Sequence, residues 1–134
     1  MNHIILASHS KLAEGMRETV RFFKADAQLD VIEQTQGDTN FEERFCRLIE
    51  ENQGKNIVVF TDLYGGSVNQ VAFRTLARHK YWLVTGMNLV VLLEVCFATE
   101  DVDQEMLETA IEAARSSLCL MNLKLPQAGE DDED

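Results

Sequence analysis

The stretch that decides the fold is residues 57–67, IVVFTDLYGGS, in which an apolar run leads into a loop of polar residues and glycines. Residues 57–61 are all β-branched or aromatic, and the run is too short to be a helix. An unbroken apolar run of this length is typical of a strand that is covered on both faces. We therefore expect it at the centre of a parallel sheet, with the loop at the carboxyl end of that strand.

Strand patterns recur on both sides of this stretch. Residues 4–7 (IILA) form another continuous apolar run, residues 29–33 alternate between apolar and polar as an edge strand does, and residues 81–85 form a fourth strand. Residues 117–123 are a candidate fifth strand. Apolar residues at helical spacing separate these runs, and we predict that the ambiguous apolar run at residues 89–97 is also a helix.

Alternation of strand and helix along the whole chain predicts an α/β fold. Such a chain forms a mostly parallel sheet with helices on both faces, and the right-handed crossover rule leaves few ways to wind it. We predict a flavodoxin-like, doubly wound sheet of five strands in the order 2-1-3-4-5. Ser10 is expected to cap the helix that follows the first strand.

The 134 residues suit one domain, which we place at residues 1–125, and an acidic tail at residues 126–134. The net charge of −11 opposes binding to nucleic acid or to anionic lipid, because both depend on Lys and Arg. Three widely spaced cysteines without a C-x-x-C pair argue against a disulfide framework and against a zinc site. With no apolar run long enough for a signal peptide or a membrane span, the expected location is the cytoplasm.

The predicted winding places two loops next to each other. In a doubly wound sheet, ligands bind beyond the carboxyl ends of the strands, at the point where the winding direction reverses between strands 1 and 3. The loops at that point are residues 8–10 (SHS) and residues 62–67 (DLYGGS). The candidate catalytic residues are therefore expected in these two loops.

His9 is the candidate nucleophile, because a neutral imidazole has a bare ring nitrogen that can attack phosphorus. A carboxylate that accepts a hydrogen from the other ring nitrogen would hold this tautomer, and Asp62 is placed to do so. The phosphoryl oxygens would then need donors. Backbone N–H groups of Gly65 and Gly66 and the hydroxyl of Ser67 could supply them at the start of a helix.

Three segments together resemble a known family. They are residues 4–10 (IILASHS) with residues 12–15 (LAEG), residues 61–69 (TDLYGGSVN), and residues 86–94 (GMNLVVLLE). In order and spacing they resemble the enzyme IIA domains of the mannose/fructose/sorbose class of the bacterial sugar phosphotransferase system (PTS). The likeness covers about residues 1–123, and the second segment is its most specific part.

The resemblance implies a role for each candidate residue. His9 would be phosphorylated by the phosphocarrier protein HPr and would pass the phosphoryl group to a histidine of the cognate IIB component. Asp62 would orient His9, and Ser67 would contact the phosphoryl group, without a metal or a cofactor. The membrane components IIC and IID would import the sugar. Family members form homodimers that exchange their last strand, which implies such a role for residues 117–123.

The sequence departs from many relatives at two positions, Val68 and Val90, where they have proline. Proline stiffens the start of a helix but supplies no reactive group, so the proposed chemistry does not depend on it. Two alternatives share the fold class. A receiver domain would be phosphorylated on Asp62 but needs acidic residues after strand 1 to hold Mg²⁺. A flavodoxin-like regulatory or flavin-binding module needs a longer loop there than residues 8–10.

Overall fold

A four-stranded parallel sheet forms the centre of the protein, in a computed structural model that describes residues 1–126. The strands are β1 (Asn2–His9), β2 (Leu29–Gln34), β3 (Asn56–Thr61) and β4 (Trp82–Thr85), and they are arranged in the order β2-β1-β3-β4. All three strand pairings are parallel. The two continuous apolar runs, β1 and β3, are the inner strands, as predicted.

Helices cover both faces of this sheet. The helices are α1 (Leu12–Phe23), α2 (Phe41–Glu51), α3 (Ser67–Thr75), α4 (Leu89–Phe97) and α5 (Gln104–Ser117), followed by a 3-10 turn at Met121–Lys124.

The pleat of the sheet divides the core into two halves. Ile4 and Leu6 of β1 point to the face covered by α1, α4 and α5, where Leu92 is fully buried. Ile5 points to the other face, which α2 and α3 cover and where Phe45 is fully buried. Fully burying one such side chain stabilises the fold by about 1.5–3 kcal/mol. Because both faces are buried, the middle of each inner strand is continuously apolar, whereas Asp30 and Glu33 interrupt the apolar residues of β2.

The ambiguous apolar run is a helix, as predicted. The Asn88 side chain caps α4 by accepting hydrogen bonds from the backbone N–H groups of Val90 and Val91, at 2.8 and 3.3 Å. These amides would otherwise lack partners in the first turn of a helix. The cap therefore favours helix in a sequence whose apolar pattern allows either structure.

The predicted fifth strand at residues 117–123 is wrong. Helix α5 continues to Ser117, and the 3-10 turn begins at Met121. Between them the backbone of Leu118 and Leu120 is extended, with φ and ψ of −91° and 101° and of −85° and 107°. An extended segment becomes a strand only if a neighbouring strand pairs with its N–H and C=O groups. Of the predicted tail, residues 127–134 lie outside the described part of the chain.

The start of α1 also differs from the prediction. Ser10 does not cap the helix; its φ of 52° lies in the left-handed region, which a serine adopts only when its surroundings enforce it. Ser8, which is fully buried, takes the capping role instead. Its hydroxyl accepts a hydrogen bond from the Ala13 backbone N–H at 2.8 Å and donates one to the Ser10 carbonyl oxygen at 3.3 Å.

Replacing Ser8 with alanine is expected to lower the free energy of unfolding by about 1–2 kcal/mol, because the Ala13 N–H would be left buried without an acceptor. Urea denaturation measures the change. Ser116→Ala is the matched control, since this exposed hydroxyl only contacts the Glu112 carbonyl oxygen on the surface of α5. An equal loss in both variants would contradict the capping role of Ser8.

Candidate active site

Three predicted site residues, His9, Asp62 and Ser67, meet at the carboxyl edge of the sheet. His9 is the last residue of β1, Asp62 directly follows β3, and Ser67 is the first residue of α3. Since β1 and β3 are adjacent and parallel, their carboxyl ends lie side by side. The sheet therefore brings together side chains that are more than 50 residues apart, as His9 and Asp62 are.

Asp62 holds the ring of His9 through one of its two nitrogens. The His9 Nδ1 atom lies 3.0 Å from Asp62 Oδ2 and 3.2 Å from Oδ1. The backbone N–H of His9 also donates to Oδ2, at 2.8 Å. A carboxylate can only accept, so Nδ1 carries the hydrogen in this pair. In a neutral ring, that tautomer leaves Nε2 with a free lone pair.

The other ring nitrogen faces Ser67. The Ser67 Oγ atom lies 3.1 Å from His9 Nε2 and also contacts Gln34 Oε1 at 2.6 Å. Asp62 is nearly covered, with 9% of its side chain exposed, whereas His9 retains 40%. The ring is thus held on its buried side and accessible on the side of Nε2.

The glycines allow the loop to approach this ring. Gly65 has a φ of 81°, which disfavours any residue with a side chain. Gly66 lies against the ring, since a Cβ atom added there would be 3.0 Å from His9 Cε1 and 3.2 Å from the Leu63 carbonyl oxygen. The Gly66 N–H donates to that same carbonyl oxygen at 2.9 Å. The Gly66 N–H is therefore used within the turn. Because Gly66 has no side chain, it leaves space for the His9 ring.

If His9 carries a phosphoryl group, as the resemblance implies, Gly66→Ala is expected to slow its transfer about tenfold, because the added methyl group displaces the ring and a small misplacement is costly at a reacting atom. Single-turnover transfer from phosphorylated HPr measures the rate. Gly15→Ala is the matched control, because no neighbouring atom in the described part of the chain lies within 4 Å of the Cβ atom that this change adds. A Gly66→Ala variant as fast as Gly15→Ala would contradict this role.

Three hydrogen-bonded side chains behind the loop at residues 62–66 hold the two ends of that loop together. The buried Thr61 Oγ1 atom lies 3.0 Å from Asn69 Oδ1 and 2.8 Å from Thr85 Oγ1. These contacts join the end of β3 to α3 and to β4. Sequence reasoning did not single out Thr85 or Gln34. The only signal for either was a polar side chain at the carboxyl end of a predicted strand.

In residues 1–126, no three His, Cys, Asp or Glu side chains come together as a metal site. Within the same residues, none of the helices combines the length and the apolar character that crossing a bilayer requires.

Comparison with known proteins identifies relatives over most of the chain. Residues 3–115 match the family model described as PTS system fructose IIA component. A PTS IIA protein associated with the fucose utilization operon of Streptococcus pneumoniae is 28% identical, with a TM-score of 0.81 over 93% of this chain and 96% of that one. No match is found among proteins whose functions are curated.

Two more distant structures share the fold. The mannose/sorbose-specific IIA subunit from Enterococcus faecalis is 20% identical, with a TM-score of 0.83 over 94% of this chain and 97% of that one. Phosphotransferase system component EIIA from Streptococcus agalactiae is 19% identical, with a TM-score of 0.79 over 92% and 99%. The family match confirms the resemblance noted in the sequence. It favours a PTS component over the receiver and flavodoxin-like alternatives. The chain belongs to the family of PTS system fructose IIA components and is thus a component of a sugar phosphotransferase system.

Proposed function

We propose that this protein is a cytoplasmic phosphoryl carrier, in which His9 accepts the phosphoryl group of phosphorylated HPr and passes it to a histidine of the cognate IIB component. The observation that carries the proposal is the orientation of the His9 ring. Nδ1 is held by Asp62 at 3.0 Å, while Nε2 lies on the accessible side, next to Ser67. The nitrogen that can attack is thus the one that a partner protein can reach.

The first transfer forms one bond and breaks one. The lone pair of His9 Nε2 attacks phosphorus in line with the donor, and the N–P bond of the donor breaks with its electron pair returning to the donor imidazole. The Nδ1 hydrogen remains on the ring of His9. The carboxylate of Asp62 offsets the positive charge that the ring gains as the new bond forms. In the second transfer, His9 is the leaving group and the IIB histidine attacks.

Donors for the phosphoryl oxygens lie beside Nε2. Ser67 has a hydroxyl within 3.1 Å of that nitrogen, and the first N–H groups of α3 have no partners within the helix. Aligned N–H groups and the helix dipole both favour an anion at this end. Gly65 and Gly66 contribute by letting the main chain come close. These groups would stabilise the charge on the phosphoryl group without a metal ion.

The surroundings of the site suit a transient protein partner. Three large apolar side chains next to the site are exposed: Leu12, Leu63 and Tyr64, the last at 83%. The chain has a net charge of −11, so a donor with a basic docking face would be attracted to it. Association with HPr should therefore weaken as salt is added, since screening acts on exposed charges.

Labelling tests the proposed function directly. The protein is incubated with enzyme I, HPr and labelled phosphoenolpyruvate, and the label is then mapped and exposed to acid and to base. A phosphohistidine is expected, stable in base and labile in acid, on the peptide that contains His9. A label on the Asp62 peptide that base removes would support the receiver alternative, and no label at all would refute the carrier function.

We also propose that the protein is a homodimer in which the segment after α5 pairs with the partner. In the described chain, β4 is an edge strand with β3 as its single neighbour. The segment after α5 has an extended backbone at Leu118 and Leu120. Its apolar side chains are 61–87% exposed: Leu118, Leu120, Met121, Leu123 and Leu125. A free sheet edge and an exposed apolar segment would each gain a partner by exchange.

Truncation after Ser117 is expected to convert the dimer to a monomer, because it removes the segment that would be exchanged. Light scattering should give about twice the chain mass of 15.2 kDa for the intact protein and a single chain mass for the truncated one. Truncation after Pro126, which removes only the acidic tail, should leave the dimer intact. An intact protein with the mass of one chain would contradict the exchange.

A further inference from the structure

Gln34 lies next to the active site, although it belongs to none of the motifs found in the sequence. It is the last residue of β2, and the strand register places it directly opposite His9 of β1. The backbone N–H of Ser10 donates to the Gln34 carbonyl oxygen at 2.9 Å. Two backbone interactions therefore fix the position from which the Gln34 side chain reaches the site.

The segment that carries Gln34 is held from the other side as well. Arg44 donates to the Glu33 carbonyl oxygen at 3.2 Å and pairs with the carboxylate of Asp38. Burial opposes ionisation of Asp38, but hydrogen bonds from the Asn40 backbone N–H and from Arg44 outweigh it and lower the pKa of Asp38. The backbone at the end of β2 is thus fixed, while within residues 1–126 no hydrogen bond holds the NH₂ group of Gln34.

The Ser67 hydroxyl has two neighbours but only one hydrogen. Its Oγ atom lies 2.6 Å from Gln34 Oε1 and 3.1 Å from His9 Nε2. When the hydrogen points to Gln34 Oε1, Oγ can only accept from His9, which requires a hydrogen on Nε2. Because Nδ1 already donates to Asp62, a hydrogen bond from Nε2 to Oγ needs a hydrogen on both ring nitrogens, and a ring in that state cannot attack phosphorus.

A half-turn of the amide reverses this arrangement. The NH₂ group of Gln34 then donates to Ser67 Oγ, and the hydroxyl hydrogen is free to point at a bare Nε2 or at a phosphoryl oxygen bound there. Each orientation of the amide thus matches one state of His9. In both arrangements the Ser67 hydroxyl has one partner for its hydrogen and one for its lone pair.

We propose that Gln34 is a positioning residue that acts through Ser67: its amide turns with the state of His9 and directs the Ser67 hydrogen toward Nε2 or the phosphoryl group during transfer. The proposal deepens the carrier function and rests on it. Gln34 does not react itself. With its carbonyl oxygen toward Ser67 it withholds the Ser67 hydrogen from Nε2, and with its NH₂ group toward Ser67 it releases that hydrogen.

Two variants of Gln34 separate this role from simple packing. Gln34→Glu can only accept, so it holds the Ser67 hydrogen away from His9, whereas Gln34→Met has a similar length and leaves that hydrogen free. Single-turnover transfer from phosphorylated HPr should be slowed about 30-fold in Gln34→Glu and no more than about threefold in Gln34→Met. Gln36→Glu adds the same charge two residues away and should transfer at nearly the normal rate.

A double-variant comparison tests whether the effect passes through Ser67. In a Ser67→Ala background, Gln34→Glu should slow transfer only about threefold further, because there is no hydroxyl left to direct. Equal rates for Gln34→Glu and Gln34→Met, or an undiminished effect of Gln34→Glu without Ser67, would overturn the proposal.

The His9 ring gives a second measurement that requires no phosphorylation. Nitrogen-15 shifts of the unphosphorylated protein near neutral pH report how often Nε2 carries a hydrogen. Gln34→Glu should raise that fraction more than Gln36→Glu, which adds the same charge, and the excess should disappear in a Ser67→Ala background. Identical ring states in all three proteins would overturn the role of Gln34. If the normal protein accepts no phosphoryl group, the carrier function fails, and the ring measurement still decides whether Gln34 directs Ser67.

Discussion

His9→Ala is expected to abolish labelling from phosphoenolpyruvate completely, because the variant has no ring nitrogen to form the N–P bond. The fold should tolerate the change, since 40% of the His9 side chain is exposed and β1 is held by its neighbours on both sides. Labelling in the presence of enzyme I and HPr, followed by separation on a gel, measures the outcome.

The other two histidines provide matched controls for this variant. The chain has three histidines, and His3 and His79 each contact a carboxylate, at Asp30 and at Glu50. His79→Ala and His3→Ala should accept label at the normal rate. Label that persists in His9→Ala and disappears in one of the others would move the carrier role to a different histidine.

Asp62→Asn should slow phosphoryl transfer about 10³-fold while the protein stays folded. The asparagine oxygen can still accept from the His9 backbone N–H, as Asp62 Oδ2 does at 2.8 Å. The asparagine NH₂ group then faces Nδ1 and donates to it, which shifts the ring hydrogen to Nε2. The attacking nitrogen is thereby blocked, and the negative charge that offsets the cationic ring is lost.

Asp30→Asn is the control for this second variant, because Asp30 makes the same kind of contact with His3, at 2.7 Å, away from the site. Rapid-quench measurement of single-turnover transfer should show a normal rate for Asp30→Asn. Circular dichroism of both variants verifies the fold. A normal transfer rate in Asp62→Asn would show that the carboxylate does not select the tautomer of His9.

The sequence alone led to His9, Asp62 and Ser67 because each is tied to a local pattern. His9 and Asp62 follow the two continuous apolar runs, and parallel strands that neighbour each other end at the same edge. Ser67 follows two glycines at the start of a helix. What these patterns could not supply was the relation between side chains, such as the 3.0 Å contact of Nδ1 with Asp62.

The two errors of the sequence reasoning have one physical origin. Ser10 looked like a helix cap and residues 117–123 looked like a strand, since local preference favours both. In the structure, Ser8 is buried where its hydroxyl reaches the Ala13 N–H, and within residues 1–126 no strand lies beside the segment after α5. A cap and a strand are both defined by a hydrogen-bond partner, and the partner is set by the rest of the fold.

The sequence by itself determined the inner strands, the helices on both faces and the two loops that carry the site, because apolar periodicity and crossover handedness act along the chain. Only the tertiary structure decided that Gln34 of β2 lies opposite His9 and reaches Ser67. That contact depends on the register of two strands and on side-chain distances. Neither can be predicted from the local sequence. The hydrogen bonds of the site can therefore be assigned only once β1, β2 and α3 are placed together.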